Sequence, residues 1–189
     1  AFAKGGKLSE EDYAFFEARA KGSPAAITQV VGVNDEGTAD SMPNVTDESF
    51  FDAEKRITDM IHSYGTKHIV QLFHRGRNAS SDKGLKPIAP SNVPSGIYRN
   101  ECEVMTAEKI EETVKAFADA ALKLKEIGVD AVEVSMSAGY LLSLFFSPIT
   151  NLRDDEYGGD EERRMKAPLD VLRAIRKAVG KDYPVIVRI

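Results

Sequence analysis

Four short segments constrain the fold more than any other feature of this chain. "AAITQVV" (25–31), "HIVQLF" (68–73), "AVEVSM" (131–136) and "PVIVRI" (184–189) are apolar, largely β-branched runs without strict alternation. That pattern predicts strands of a buried parallel sheet, which must be joined by crossovers rather than tight turns. The sequence between them has helical periodicity. From Thr106, a plausible cap, the residues Ile110, Val114, Phe117, Ala121 and Leu124 fall at spacings of three and four before Gly128. A second pattern, from about Asp52 to Tyr64, sets Ile57 and Ile61 on one side and stops at Gly65. A third places Leu172, Ile175 and Val179 inward and ends at Gly180, and its Pro168 would break the helix unless the helix proper begins there. At the front, Ser9 caps a run with acids in its first turn and Gly22 as its stop. A leading helix, three strand-and-helix units and a last strand predict right-handed βαβ connections. Two α/β layouts satisfy this order: a doubly wound open sheet or part of an eight-fold barrel.

Composition narrows the partners. The net charge is −5, and the basic residues are dispersed beside acids, which argues against nucleic acid or an anionic membrane as the main partner. The longest apolar stretches are about seven residues, against the roughly 20 that span a bilayer. The one cysteine, Cys102, forms neither an internal disulfide nor a cysteine metal site; it reads as a bystander thiol in a reducing cytoplasm. No linker divides the chain, so residues 1–189 are read as one unit. The opening "AFAKGGKLSEED" reads as the inside of a protein, and "PVIVRI" ends on an uncovered strand, so a fragment is expected. Unpaired edges predict that such a piece alone would dimerise, aggregate or borrow strands.

Familiar chemical motifs are missing. No Gly-x-Gly-x-x-Gly follows a strand, there is no Gly-Lys-Ser phosphate loop, and His62, His68 and His74 are too scattered for a zinc site, so no metal is expected. What remains is a set of polar residues at strand ends. Gln71 interrupts an apolar strand, and an amide there needs either neighbouring backbone or a planar heterocycle carrying donors and acceptors. Arg188 needs a carboxylate or an anionic ligand, and Glu133 is a candidate structural partner for it. Tyr140 stands just past a strand as a half-buried aromatic or a proton donor. The long polar stretch from His74 to Met105 predicts either disorder or a lid at the carboxyl ends of the strands.

Taken in order, "FFEARAKGS", "HIVQLFHRGR", "APSNVPSG", "VEVSMSAGYLLSLFFSPITNLRDDEYGGDEERR" and "YPVIVRI" resemble the old yellow enzyme family of NADH:flavin oxidoreductases, nearest to its 2,4-dienoyl-CoA reductase-like branch. The run Asn151 to Gly159 is the most specific part. The resemblance implies a (β/α)8 TIM barrel holding FMN at the carboxyl ends of its strands, with NAD(P)H as reductant. The chain then corresponds to the N-terminal half of the flavin-binding domain, about strands two to five. In the dienoyl-CoA branch an extension with a 4Fe-4S cluster and FAD follows the barrel; here its cysteines would lie beyond Ile189.

By the same resemblance Gln71 matches the glutamine that reads the flavin's pyrimidine edge, and Arg188 the arginine near flavin N1 and O2. The backbone around Val31 falls where a strand-end amide touches the ring. Tyr140 matches the proton donor, opposite the face that delivers hydride to an activated C=C bond. The implied activity is that of an ene reductase acting on a small or CoA-linked unsaturated substrate. One departure stands out: where many relatives carry a histidine pair, or histidine and asparagine, to hold the substrate oxygen, this chain has Ser135 and Ala138. Three alternatives stay open: an NADH:acceptor oxidoreductase, an amine dehydrogenase, and a half-barrel without activity. An amine dehydrogenase of this lineage would want tyrosine and histidine at 135 and 138.

Overall fold

The computed structural model describes residues 7–80, 84–96 and 101–189. The elements are α1 (Glu10–Ala20), β1 (Ala25–Gly32), α2 (Phe50–Ser63), β2 (Lys67–Phe73), the short β3 (Ile88–Ala89) and β4 (Glu103–Val104), α3 (Ala107–Glu126), β5 (Ala131–Ser135), α4 (Leu141–Phe146), α5 (Glu161–Val179) and β6 (Val185–Arg188). The four longer strands are all parallel and lie in the order β1-β2-β5-β6. Spatial order follows chain order, so the winding never reverses and right-handed crossovers put every connecting helix on one face. That is how a barrel wall is built, and it excludes the doubly wound sheet, whose strand order turns back on itself.

The two faces of the strands divide accordingly. Val70 and Leu72 of β2 and Val132 and Val134 of β5 are fully buried, packed with Phe117, Ala121 and Leu124 of α3 and Val171, Ile175 and Val179 of α5. The alternate residues point the other way: Gln71 pairs in register with Glu133 and then Ile186, and Ser135 with Arg188. The helix side holds the apolar core, and the inner side carries the polar groups.

β1 departs from this regularity. Its register with β2 runs Ile27 to Ile69 and then Val30 to Gln71, so one extra residue of β1 sits in a bulge at Thr28 and Gln29. A one-residue slip exchanges the faces of everything after it. Without the bulge Val31 would share the inner face with Ile27; with it, Val30 and Gly32 face inward and Val31 joins the core on the helix side.

Two further expectations change. α5 starts at Glu161 and carries Pro168 in its interior, rather than starting there. The proline lacks the N–H that would reach the carbonyl of residue 164. The turns before it are held from outside: Asp160 caps the helix by accepting from the Arg163 N–H at 2.9 Å, and Arg164 Nε donates to the Phe146 carbonyl at 2.9 Å. Burial of Ala167 and Pro168 holds the segment in place, and tertiary packing outweighs local preference. The His74–Met105 stretch alternates exposed residues, such as Leu85 and Val104, with buried anchors, and positions 81–83 and 97–100 lie outside the described residues. Ile88 and Met105 pack with Leu141, Phe145 and Tyr157, while Ala89 and Cys102 pack with Leu144. Burial pushes the Cys102 thiol up, away from the reactive thiolate. Among the described residues no helix is long and apolar enough to cross a membrane.

At the amino end of the strands Asp130 ties loop to sheet. Burial would raise its pKa, but hydrogen bonds from Lys67 Nζ at 2.7 Å and the His68 N–H at 2.9 Å, with His62 at 2.6 Å, hold it at about 2. Between α2 and β2 lies a buried polar group of different character. The Thr58 hydroxyl donates to the Glu54 carbonyl at 2.9 Å, so His68 Nδ1, also 2.9 Å from that hydroxyl, is the donor toward it. His68 Nε2 is then left to accept, 3.1 Å from the Thr28 hydroxyl and 3.4 Å from Glu54 Oε1. Burial pushes Glu54 up to about 8 and His68 down to about 4, so near neutrality the acid keeps its proton and the imidazole is uncharged.

These shifts set a pH dependence. The unfolded chain releases the Glu54 proton near 4.5 and the folded chain near 8, so this residue's contribution declines as pH rises through that window. His68 and His74, held by burial to about 4 and about 3, oppose folding as pH falls below their ordinary 6.5. The urea midpoint of the full polypeptide should therefore fall between about pH 6.5 and about pH 8.5, and Glu54→Gln should flatten that fall. A wild-type midpoint unchanged across the interval would contradict the assignment.

Candidate active site

A cleft of about 610 Å³ opens on the inner face at the carboxyl ends of the strands. β1 contributes Thr28, Gln29 and Val30; β2 contributes Gln71 and Phe73; β5 contributes Ser135; β6 contributes Arg188. The segments that follow the strands add Ser41 and Met42, Arg75, and Ser137, Ala138 and Tyr140. Five residues picked out in the sequence thus meet in one cavity: Gln71, Arg188, Tyr140, Ser135 and Ala138. Val31 does not line it; because of the bulge, Val30 stands in its place.

Tyr140 is held from three directions. Its ring meets Phe73 edge-on, with centroids 4.4 Å apart and planes at 68°. Its backbone N–H closes a turn on the Ser137 carbonyl at 3.2 Å, and it caps α4. The next residue, Leu141, donates its N–H to the His74 carbonyl at 3.0 Å, joining the exit of β2 to the start of α4. The phenol oxygen has no hydrogen-bond partner among the described residues.

His74 supports this joint and does not line the cleft. Its Nδ1 accepts from the Gly76 N–H at 3.0 Å, so Nε2 carries the proton, and burial holds the ring uncharged with a pKa of about 3. A Cβ at Gly37 would lie 2.4 Å from that ring, and one at Gly76, whose φ is +58°, only 3.0 Å from Leu141 Cα. The glycines let three backbone segments close around one imidazole.

The polar groups of the cleft differ in what they already hold. Gln71 Nε2 donates to Glu133 Oε1, so the amide is bound to a carboxylate, not to backbone, and Glu133 partners the glutamine, not Arg188. The register explains this, since Arg188 lies opposite Ser135, two residues beyond Glu133. Arg188 has no ion-pair partner among the described residues. Gln29 went unremarked in the sequence, yet both its amide atoms are buried here without a hydrogen-bond partner. The signal was there: a glutamine within "AAITQVV" is as anomalous as the one within "HIVQLF". Unpartnered amide and guanidinium groups converging on a cavity of this volume fit a planar heterocycle with its own donors and acceptors.

Ser135 is buried and offers one hydroxyl; Ala138 is exposed and offers none. Ala138 has a φ of +58°, the one non-glycine residue with positive φ among the described residues, and Gly139 follows at +74°. Asparagine and histidine are enriched in that left-handed region, whereas alanine gains nothing there.

No residue of the run Asn151 to Gly159 lines the cleft. Asn151 Nδ2 donates to the carbonyls of Phe145 at 2.9 Å and Tyr157 at 2.8 Å. Arg153 pairs with Asp155 and donates to the carbonyls of Pro90 at 3.1 Å and Met105 at 2.5 Å. It clamps the approach to α5 onto the segment before α3.

The sequence matches the NADH:flavin oxidoreductase / NADH oxidase family over residues 1–189, and the chain belongs to that family. It is 40% identical over 186 residues to a metal reductase of Desulforamulus reducens, covering 97% of this chain and 28% of that protein. It is 31% identical over 191 residues to an NADPH dehydrogenase of Bacillus pumilus, covering 100% of this chain and 55% of that protein. Among solved structures, a 2-naphthoyl-CoA reductase in complex with 2-naphthoyl-CoA superposes with a TM-score of 0.93 at 31% identity, over 99% of this chain and 31% of that one. An old yellow enzyme from Pichia superposes with a TM-score of 0.89 at 28% identity, over 98% of this chain and 53% of that one. The fold is therefore part of a (β/α)8 barrel, about its second to fifth strands. The chain spans 28% to 55% of the length of the two curated relatives above.

The left-handed turn makes a direct prediction. Ala138→Gly should leave the urea midpoint unchanged or raised, because glycine meets no Cβ penalty there. Ala138→Val should lower stability by about 1–2 kcal/mol. Equal midpoints for the two variants would show that residue 138 is not held at positive φ.

Proposed function

We propose that the intact protein is an FMN-dependent oxidoreductase that reduces an activated C=C bond, with NAD(P)H as reductant and Tyr140 as proton donor. One observation carries this reading: Gln71, Arg188 and Tyr140 line the same cleft at the strand ends. In this reading residues 1–189 are the N-terminal half of the flavin-binding barrel. Bound FMN would supply the hydride chemistry.

The chain's own residues supply binding, charge and a proton. Gln71 keeps its carbonyl oxygen for an N–H of a planar heterocycle, since its amide nitrogen is engaged by Glu133. Arg188 would bring a cation to the edge of a bound ring, where it would stabilise negative charge formed on reduction. Tyr140 holds a proton on a phenol that Phe73 orients and no described residue engages. Given to one carbon as hydride reaches the other, that proton completes saturation of the double bond.

Substrate activation is the weaker half. Each missing oxygen-binding donor typically removes about 3 kcal/mol of transition-state stabilisation, and Ser135 restores only part of it. A substrate whose carbonyl is already activated, such as a thioester, suits this site best. The resemblance to a structure that binds 2-naphthoyl-CoA agrees with a CoA-linked substrate.

The same Ser135 and Ala138 support a second reading, an NAD(P)H:acceptor oxidoreductase whose acceptor takes electrons without protonation at carbon. Relatives named metal reductase and NADH oxidase fit it. Tyr140→Phe separates the two. If Tyr140 is the donor, C=C reduction should fall about a hundredfold or more while NAD(P)H oxidation with a one-electron acceptor is unchanged. Undiminished turnover of the best unsaturated substrate dismisses the phenol as donor.

A further inference from the structure

We infer that Glu133 is a positioning residue: it decides which end of the Gln71 amide faces the cleft, and so selects a ligand edge that donates an N–H. The inference rests on the flavin reading above.

Gln71 and Glu133 are direct cross-strand neighbours on the inner face, and Gln71 Nε2 donates to Glu133 Oε1. Neither side chain has another hydrogen-bond partner among the described residues. The two ends of a glutamine amide have nearly the same shape, so its hydrogen-bond network decides which way it points. An ionised carboxylate only accepts, so it draws the amide nitrogen to itself and leaves Oε1 to the cleft. Glu133 is 6% exposed, stands opposite Ile186, and has no basic partner among the described residues. A buried carboxylate answered by a single amide is a poor device for stability. Its effect is orientation.

The outward carbonyl accepts from an imide-type N–H, which the pyrimidine edge of an isoalloxazine carries between two carbonyls. A glutamine at 133 could donate as well as accept. It would let Gln71 turn over and set donor against donor.

The experiment uses the full polypeptide, with FMN affinity followed by quenching of flavin fluorescence and the midpoint potential of the bound flavin measured separately. Glu133→Gln, which keeps the shape, should weaken FMN binding about tenfold, the scale of one lost hydrogen bond. It should also move the potential in the positive direction, because a negative charge beside the ring is removed. Glu133→Asp, which changes the shape more but still only accepts, should bind closer to wild type than Glu133→Gln. In a Gln71→Leu background the Glu133→Gln change should add less than about twofold, since it acts through the glutamine. A Glu133→Gln affinity within about twofold of wild type, or a full loss persisting without Gln71, overturns the positioning role alone. A wild-type polypeptide that takes up no FMN overturns the flavin reading and this inference with it.

Discussion

Everything in this molecule depends on parallel strands laid down in chain order. Because the winding never reverses, the helices collect on one face, and the two-residue period of each strand sorts side chains into a dry outer set and an inner set that stays polar. Val70, Leu72, Val132 and Val134 take up the first role and Gln71, Glu133, Ser135 and Arg188 the second. The same short segments therefore build the core and the site. Neither can shift register without moving the other.

The supports of the site lie outside it. His74 has its ring closed in by Gly37 and Gly76 and its carbonyl bonded to Leu141, and it places Tyr140 without touching the cavity. Phe73 supplies the remaining wall. The phenol is aimed by packing and backbone, while the amide of Gln71 is aimed by a carboxylate. Rigid elements set both, as a preorganised site requires.

Much of this was legible in the residues. Apolar runs separated by helical patterns identify the parallel sheet, and polar residues misplaced within those runs identify Gln71 and Arg188, because such groups are expensive to bury without a purpose. What escaped did so for local reasons. The resemblance places the backbone around Val31 at the ring, and the bulge at Thr28 and Gln29, which turns the Val31 side chain to the core and Val30 to the cleft, leaves no mark in the sequence. Gln29 was passed over although its signal equals that of Gln71. Pro168 misplaced the start of α5 because the packing of Ala167 and the bond from Arg164 are tertiary and leave no local trace. Glu133, by residue type a candidate partner for Arg188, accepts from Gln71 instead, because a pairing across strands follows from register, which composition does not state.

The Asn151–Gly159 segment bears on how such chains are recognised. Its conspicuous residues are spent on carbonyls of the chain itself, with Arg153 fastening the stretches around Pro90 and Met105. It is a rivet in the frame and lines no part of the cleft. A likeness concentrated there certifies how a polypeptide is assembled and leaves what it transforms to be decided at a handful of strand tips, free to diverge behind an unaltered chassis.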